Sequence, residues 1–201
     1  MKIGIDIDDT IADTYEVMFN YAQEYTVNVL KREPVISDVE NPTHFYIETL
    51  HNWNEEESEK FWMMYFKKII QNAKPKTFSV EYLEKIHNEK NEIILITARH
   101  QDESFDFSVE EETKKWVEKN NILCDKIIID AQEKQKIAEL EKIDLFIDDS
   151  FKNCKAVSDS GIKTYIMDSK VNKNLNRVDI ERVYSWPHVY MKLKKQEKEE
   201  L

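Results

Sequence analysis

Short apolar runs that end in acidic or polar residues alternate with segments of helical spacing along most of the chain. Near-continuous isoleucine and leucine over such short runs is typical of strands in a parallel sheet that helices cover on both faces. The pattern therefore predicts an α/β fold with three layers and a parallel sheet. The predicted strands cover residues 2–8, 92–98, 126–130, 145–149 and 163–168.

Helix-start signals follow several of these runs. The sequence Ser-Val-Glu-Glu at 108–111 has the form of a capping box, in which the serine and a glutamate satisfy free amides of the first turn. A second helix is expected over residues 132–142. Its inner face is expected to carry Ile137, Ala138 and Leu140. Ser150 is a suitable N-cap for a third helix that begins at Phe151.

The segment 15–74 does not follow this alternation of strands and helices, because it contains no convincing strand and separates the first predicted strand from the second. Two helices are expected there, and Asn54, followed by three glutamates, can cap the second of them. We predict an inserted helical cap at 15–74 and a core formed by 1–14 and 75–201. The cap is rich in aromatic residues, which a small helical core needs and which a ligand could also contact.

Composition excludes several classes of function. The 29 basic and 40 acidic residues give a formal net charge of −11, which disfavours a nucleic acid polymer or an anionic membrane as partner. With 2 glycines, the chain lacks the glycine-rich loops of dinucleotide and P-loop enzymes. Cys124 and Cys154 have no C-x-x-C partner, so we expect neither a disulfide nor a thiolate metal site. No membrane-length apolar run or signal peptide is evident, so we expect a cytoplasmic protein.

Acidic residues gather at the end of the first predicted strand, in the sequence Asp6-Ile7-Asp8-Asp9-Thr10. The period of a strand puts Asp6 and Asp8 on one side, where two neighbouring carboxylates favour a bound cation. Mg²⁺ prefers oxygen ligands from carboxylates, carbonyls and water. Taken alone, the same residues could instead form a polar strand end with a helix cap at Thr10.

Three later elements place complementary groups near the ends of other predicted strands. Thr97 and Arg99 supply a hydroxyl and a guanidinium, which suit the oxygens of a phosphoryl group. A second acidic pair stands at 148–149, and Lys134 or Lys136 can neutralise charge between a nucleophile and a phosphate. Ligands of open α/β sheets bind beyond the carboxyl ends of the strands, so these residues are expected to meet at one site.

The order Asp-x-Asp, Thr, Lys, Asp-Asp resembles the haloacid dehalogenase superfamily of phosphotransferases over nearly the whole chain. The cap inserted after the first motif resembles class C1 of that superfamily, which has a Rossmann-like core. The second aspartate of Asp-x-Asp is absent from the hydrolytic dehalogenases, so the resemblance implies phosphate chemistry. More narrowly, the Asp-Ile-Asp-Asp-Thr start, the aromatic cap and the Ile-Asp-Asp ending are similar to the cytosolic type C 5′(3′)-deoxyribonucleotidases and their bacterial relatives.

The resemblance implies a role for each motif residue. Asp6 would be the nucleophile that forms an aspartyl-phosphate, and Asp8 would be the general acid and base. Thr97 and the lysine would bind the phosphoryl oxygens. Mg²⁺ would be held by Asp6, the backbone carbonyl of Asp8 and Asp149. Asp148 would be an outer partner of the ion.

Two assignments stay open. For the phosphate-binding lysine we favour Lys136 over Lys134, because Lys136 directly precedes the apolar face that begins at Ile137. Arg99 could bind the substrate or form an ion pair with an acid in the following loop, such as Asp102.

Other polar residues have ordinary explanations. We expect Asp9 to face the surface or the cap instead of the metal, and His100 to be a loop residue without a catalytic role. Asn153 is expected to lie in the first turn of its helix. The sequence Trp-Pro-His at 186–188 is expected to be a packing anchor.

We expect a Mg²⁺-dependent phosphomonoesterase whose small-molecule substrates are (deoxy)nucleoside monophosphates. A sugar phosphate or another small phosphoester is the alternative substrate, and a non-enzymatic phosphate- or metal-binding sensor is the alternative class. Phosphate-binding groups alone cannot discriminate among phosphomonoesters, so rings of the cap are expected to contact the leaving group. The candidate rings are Phe19, Phe45, Trp53, Trp62 and Tyr65.

Overall fold

A six-stranded parallel sheet is the centre of the computed structural model, which describes residues 1–35, 47–173 and 179–199. The strands are, in chain order, β1 (Lys2–Ile5), β2 (Ala12–Asp13), β3 (Lys74–Pro75), β4 (Glu92–Ile96), β5 (Lys126–Ile128), β6 (Leu145–Asp148), β7 (Lys163–Met167) and β8 (Glu181–Val183). The order across the sheet is β5-β4-β1-β6-β7-β8, and every neighbouring pair is parallel. The short strands β2 and β3 form a separate antiparallel pair.

Helices cover both faces of this sheet. The described helices are α1 (Thr14–Glu24), α2 (Ile47–Leu50), α3 (Glu55–Asn72), α4 (Ser79–Asn88), α5 (Val109–Lys119), α6 (Lys134–Leu140), α7 (Phe151–Asp159) and α8 (Trp186–Glu199), with a π-helical segment, Tyr25–Val29, after α1. Those that cover the sheet are α4 to α8. Ile93 and Leu95 pack with residues of α4, α5 and α8, whereas Ile94 and Ile96 pack with α6 and α7. The predicted three-layer α/β fold is therefore confirmed. None of these helices is both long and apolar enough to cross a membrane.

All five predicted strands are present, but each ends before the acidic or polar end of its predicted range. The largest difference is at β1, which ends at Ile5. The carbonyl of Ile7 accepts hydrogen bonds at 2.9 Å from the backbone amides of Ile11 and Ala12, so the chain turns there instead of continuing the strand. The sequence pattern did not predict β8, whose Glu-Arg-Val sequence carries no apolar run.

The predicted helix starts are present, whereas the predicted inner face of α6 is partly wrong. The hydroxyls of Ser108 and Ser150 accept hydrogen bonds from backbone amides in the first turns of α5 and α7. In α6 the buried residues are Lys134 and Ala138, four positions apart. Leu140 lies two positions further, on the opposite side of the helix, and is 80% exposed.

The helices between β2 and β3 pack mainly on one another. Their buried residues form a cluster distinct from the core of the sheet: Ala22, Tyr25, Ile47, Phe61, Tyr65 and Ile69. The rings of Tyr25 and Trp53 meet edge to face with centroids 5.1 Å apart. Asn54 and Glu57 form the predicted capping box at the start of α3. We call this packed group of aromatic and aliphatic side chains the helical core.

Hydrogen bonds hold the end of α3 on α5. Trp116 Nε1 donates to the carbonyl of Ala73 at 2.7 Å, and the side-chain amide of Gln71 donates to the Glu112 carboxylate at 2.7 Å. The helices that follow β2 are thereby attached to the layer that covers the sheet.

Candidate active site

The candidate residues meet where the strands β1, β4 and β6 end. Asp6 follows β1, Thr97 follows β4, and Asp148 closes β6. Because these neighbouring strands are parallel, their carboxyl ends lie at one edge of the sheet, where open α/β folds bind ligands. Residues distant in the sequence therefore share one site.

Asp6 is buried at the centre of this site. Its backbone amide donates to the carbonyl of Ile147 at 2.9 Å, which continues the ladder between β1 and β6 and directs the side chain. One carboxylate oxygen accepts a hydrogen bond from Lys134 Nζ, and the other accepts one from the Thr10 hydroxyl at 3.4 Å. Burial raises the pKa of Asp6 to about 8, although the Lys134 ammonium opposes the rise.

Asp8 is held by Arg99 through a bidentate ion pair. Arg99 Nε donates to Asp8 Oδ2 at 3.0 Å, and Nη2 donates to Oδ1 at 2.8 Å. The hydroxyls of Thr14 and Thr97 donate to the same carboxylate at 2.7 and 3.4 Å. Burial favours the neutral acid, but the Arg99 guanidinium, the Thr14 hydroxyl and the Lys134 charge together hold the pKa of Asp8 below its ordinary value. Arg99 therefore pairs with Asp8, not with an acid of the following loop.

Three buried carboxylates fit a divalent cation. Asp6, Asp148 and Asp149 can each offer one oxygen, and these oxygens lie within 4.8 Å of one another. Burial, followed by the charges of neighbouring carboxylates, raises the pKa of Asp149 well above its ordinary value. Carboxylate oxygens are the ligands that Mg²⁺ prefers, and a cation would relieve the repulsion within the group.

Asp148 is already surrounded by hydrogen-bond donors. One oxygen accepts from the backbone amide of Ser150 at 2.7 Å, and the other accepts from Lys134 Nζ at 2.7 Å and Asn153 Nδ2 at 3.1 Å. These bonds favour the expected outer position of Asp148 beside a metal. Asn153 does lie in the first turn of α7, as expected, and its side chain also reaches the site.

The structure places Lys134, not Lys136, in the site, which corrects our preference for Lys136. Lys134 is 4% exposed and contacts two of the three carboxylates. Lys136 is exposed and pairs with Glu133 at 2.6 Å. Helical periodicity explains the difference, because Lys134 shares the buried side of α6 with Ala138, and Lys136 lies on the other side.

Asp9 lies beside the three carboxylates without joining them. Its φ of 55° turns the chain after β1. Its carboxylate accepts a hydrogen bond from the backbone amide of Tyr15 at 3.1 Å, which caps the first turn of α1. Burial raises the pKa of Asp9 to about 7. This contact agrees with the expectation that Asp9 faces the predicted cap.

A cavity of about 760 Å³ opens onto these groups. Its polar lining includes Asp6, Asp8, Arg99 and Lys134. Its apolar lining comes from α1, α3 and the loop after β4, and includes Met18, Trp62, Met63, Phe66 and Phe105. The cavity therefore combines charged groups that suit a phosphoryl group with an apolar lining that suits an apolar leaving group.

The structure separates the aromatic residues that we expected to contact a leaving group. Trp62 lines the cavity and also packs against the helical core, whereas Tyr65 belongs to that core and Trp53 packs against it away from the cavity. Phe19 also packs against that core and stacks on Tyr15 with centroids 6.4 Å apart. Phe45 lies outside the described residues.

Several residues of the site were not among our candidates. Phe66 and Phe105 line the cavity with ring centroids 5.5 Å apart. Phe66 follows Trp62 by four positions, so the helical spacing could have predicted that both rings lie on the same side of α3. Thr14 opens the helix that follows the aspartate-rich turn, where a first-turn hydroxyl can reach back to that turn. His100 borders the cavity and pairs with Asp130 at 3.1 Å in an exposed position.

Known proteins resemble this chain over most of its length. The family model described as 5′ nucleotidase, deoxy (pyrimidine), cytosolic type C protein matches residues 1–197. A nucleotidase of Clostridium acetobutylicum is 26% identical over 191 residues, which cover 94% of this chain and 92% of that protein.

Solved structures share the fold. A haloacid dehalogenase-like family hydrolase of Streptococcus pneumoniae has a TM-score of 0.68 at 14% identity, covering 96% of this chain and 97% of that one. A haloacid dehalogenase-superfamily hydrolase of subfamily IA from Geobacter sulfurreducens has a TM-score of 0.64 at 12% identity, covering 96% and 95%.

Fold, site and relatives together define a phosphomonoester hydrolase of the haloacid dehalogenase superfamily. The resemblance drawn from the motifs is confirmed. Within that superfamily, the chain belongs to the family of the cytosolic type C 5′ deoxynucleotidases.

Proposed function

We propose that the protein is a Mg²⁺-dependent phosphatase that hydrolyses (deoxy)nucleoside monophosphates through an aspartyl-phosphate on Asp6. The observation that carries this proposal is the cavity, where the buried Asp6 and Lys134 share one space with Trp62, Phe66 and Phe105. Phosphate-binding groups suit any phosphomonoester, whereas an aromatic wall favours a planar base. Membership of the family supports the same class of substrate.

In the first half of the reaction, Asp6 attacks phosphorus in line with the leaving oxygen. The new bond from the carboxylate to phosphorus forms as the ester bond breaks. Lys134 and Thr97 lie beside Asp6 and Asp8 and are suited to bind the phosphoryl oxygens. A proton from Asp8 passes to the departing oxygen, which leaves as an alcohol.

Arg99 connects substrate binding to the state of Asp8. In this structure the guanidinium holds Asp8 as a carboxylate. Phosphate oxygens compete well for a guanidinium, because they accept two parallel hydrogen bonds from it. In our proposal the phosphoryl group draws Arg99 away, and Asp8 can then carry the proton. In the second half, Asp8 takes a proton from the water that attacks the aspartyl-phosphate, which releases phosphate and regenerates Asp6.

Asp6 and Asp149 would hold the Mg²⁺ ion together with the backbone carbonyl of Asp8, and Asp148 would support them from outside. When bound, the ion supplies charge neutralisation between two anions, the nucleophile and the phosphate, that otherwise repel each other. The cluster of buried carboxylates with raised pKa values at Asp6 and Asp149 supports this assignment.

The segment 15–74 would serve as the cap, and 1–14 with 75–201 as the catalytic core. The helix α3 supplies Trp62 and Phe66 to the cavity, while the strands of the sheet supply its charged groups. Discrimination between leaving groups would then lie in the cap, and phosphoryl transfer would lie in the core.

Release of phosphate from a substrate panel tests the proposal. The panel contains nucleoside and deoxynucleoside monophosphates, sugar phosphates and a generic aryl phosphate, each with Mg²⁺ and with EDTA. We expect the nucleotides to exceed the sugar phosphates by at least about tenfold in kcat/KM and EDTA to abolish turnover. Asp6→Asn should lower kcat by about 10³ or more. Asp13→Asn is the control, because Asp13 is an exposed aspartate of the nearby strand β2.

Each arm can contradict a different part of the proposal. If sugar phosphates are hydrolysed faster than nucleotides, the substrate class is sugar phosphates and not nucleoside monophosphates. If Asp6→Asn keeps more than about a tenth of the wild-type kcat, the assignment of Asp6 as the nucleophile is wrong. A folded protein that hydrolyses no member of the panel would favour a phosphate- or metal-binding sensor.

A further inference from the structure

The loop that follows β7 closes against the end of β6, next to the carboxylates. The buried Asn172 lies in this loop, and its side-chain nitrogen donates to the backbone carbonyls of Asp149 and Met167, both at 2.7 Å. One amide group thereby ties the ends of β6 and β7 together at Asp149.

The orientation of Asn172 is itself determined by neighbours. Its side-chain oxygen accepts hydrogen bonds from the backbone amide of Ser169 at 3.2 Å and from Arg182 Nη1 at 2.5 Å. Arg182, in β8, also donates to Asp168 at 2.8 Å. Both polar atoms of the amide are thus used twice, and the group has one preferred orientation.

The neighbouring Ser169 shows a different feature. Its side chain is 6% exposed, and within the described part of the chain its hydroxyl has no hydrogen-bond partner. Buried polar groups without partners are rare, because each costs free energy. Ser169 lies close to Asp149, because Ile166 of β7 pairs with Asp148 of β6 and the Asn172 side chain bonds both the Ser169 amide and the Asp149 carbonyl. This hydroxyl is therefore available to a carboxylate that a cation has reoriented, or to a water molecule on the cation.

We propose that Asn172 and Ser169 are positioning residues of the cation site, Asn172 through the backbone of Asp149 and Ser169 through its carboxylate. This inference rests on the proposed Mg²⁺ site at Asp6 and Asp149. Hydrogen bonds to metal ligands from outside the coordination sphere orient those ligands, and their loss typically weakens metal binding by about 10- to 100-fold. Neither residue belongs to the Asp-x-Asp, Thr, Lys and Asp-Asp pattern.

Calorimetric titration of the full-length protein with MgCl₂ tests the inference without any substrate. We expect Ser169→Ala and Asn172→Ala to weaken Mg²⁺ binding by about tenfold. Ser79→Ala is a matched control, because Ser79 is also a buried serine whose hydroxyl has no partner among the described residues. Asn120→Ala is the second control, because the Asn120 amide donates to a backbone carbonyl at the end of α5. Both controls should bind Mg²⁺ within about twofold of the wild type.

The variant Asp149→Ala separates failure of the inference from failure of the site. Wild-type Mg²⁺ affinity in Asp149→Ala would overturn the proposed cation site itself. Loss of binding in Asp149→Ala, together with control-like binding in the Ser169 and Asn172 variants, would overturn only the positioning role. If Asn172→Ala does not fold, Ser169→Ala decides the question, because it removes a hydroxyl without breaking an existing hydrogen bond.

Discussion

Charge balance at single residues governs the site. Lys134 and Arg99 are buried cations that contact the carboxylates of Asp6, Asp148 and Asp8. A buried charge that loses its partner costs several kcal/mol, because the protein interior solvates ions poorly. Removing either cation should therefore affect both folding and chemistry.

We predict that Lys134→Ala lowers kcat/KM by about 10²- to 10³-fold, because in our proposal Lys134 donates hydrogen bonds to the phosphoryl oxygens. It should also lower the free energy of unfolding by about 3 to 5 kcal/mol, because Asp6 and Asp148 lose their shared cation. Lys136→Ala is the matched control on the same helix, and its unfolding free energy should change by less than about 0.5 kcal/mol. Phosphate release and denaturant unfolding measure the two quantities.

Similar effects of the two alanine variants would contradict the assignment of Lys134. If Lys134→Ala does not fold, Lys134→Arg keeps the charge and allows the same comparison of kcat/KM. An arginine cannot reproduce the compact ammonium, so this variant should remain impaired although folded.

At the scale of elements, α3 carries apolar side chains on two sides. Phe61, Tyr65 and Ile69 pack in the helical core. Trp62 and Phe66 line the cavity, with ring centroids 5.6 Å apart at an angle of 89°. Trp62 Nε1 also donates to Glu48 at 2.8 Å, which holds the indole in place. A single helix can therefore stabilise the segment 15–74 and shape the site.

Replacing Trp62 or Phe66 by leucine should raise KM for a nucleoside monophosphate by about tenfold. Stacking on an aromatic ring contributes about 1 to 3 kcal/mol per base, and 1.4 kcal/mol corresponds to tenfold. Hydrolysis of acetyl phosphate, which has no base, should be nearly unchanged. Steady-state kinetics on both substrates measure the effect.

Trp53→Leu is the control for these variants, because Trp53 packs against the helical core but is not among the residues that line the cavity. It should lower stability without raising KM for the nucleotide selectively. Equal losses on both substrates in the Trp62 and Phe66 variants would show that these rings serve packing alone.

At the scale of the whole molecule, the C-terminal helix supports the loop that carries the aspartates. Trp186 at the start of α8 is buried, and its Nε1 donates to the backbone carbonyl of Thr10 at 3.1 Å. The ring packs in the main core of the sheet, as expected for a packing anchor. The C-terminal helix therefore contacts the loop beside the site directly.

Truncation of this anchor should destabilise the whole fold. Trp186→Ala is expected to cost about 3 to 5 kcal/mol through lost burial and a cavity, which lowers Tm by roughly 10 °C for a chain of this length. Tyr184→Ala removes a neighbouring ring that is 66% exposed, so its Tm should change by less than about 2 °C. Differential scanning calorimetry of both variants makes the comparison, and equal shifts would mean that Trp186 is not an anchor.

Much of the fold and part of the site follow from local sequence. The isoleucine-rich runs predict the strands, and Ser108, Ser150 and Asn54 predict helix starts, because side-chain caps and strand periodicity act over a few residues. Asp6 and Asp148 could be placed near each other for a related reason: residues that end parallel strands share one edge of the sheet.

Only the tertiary structure decided which side of each helix turns inward. From the sequence we favoured Lys136, whereas Lys134 lies in the site, because the seven residues of α6 do not reveal where the sheet lies. The same reason separates Trp62, which lines the cavity, from Tyr65, which is buried in the helical core. The contact between Asn172 and Asp149 joins loops from two strands, and no local pattern encodes such a contact. The sequence by itself determined five of the six strands of the sheet, the capped helix starts and the chemical groups available, whereas long-range packing determined which of those groups meet.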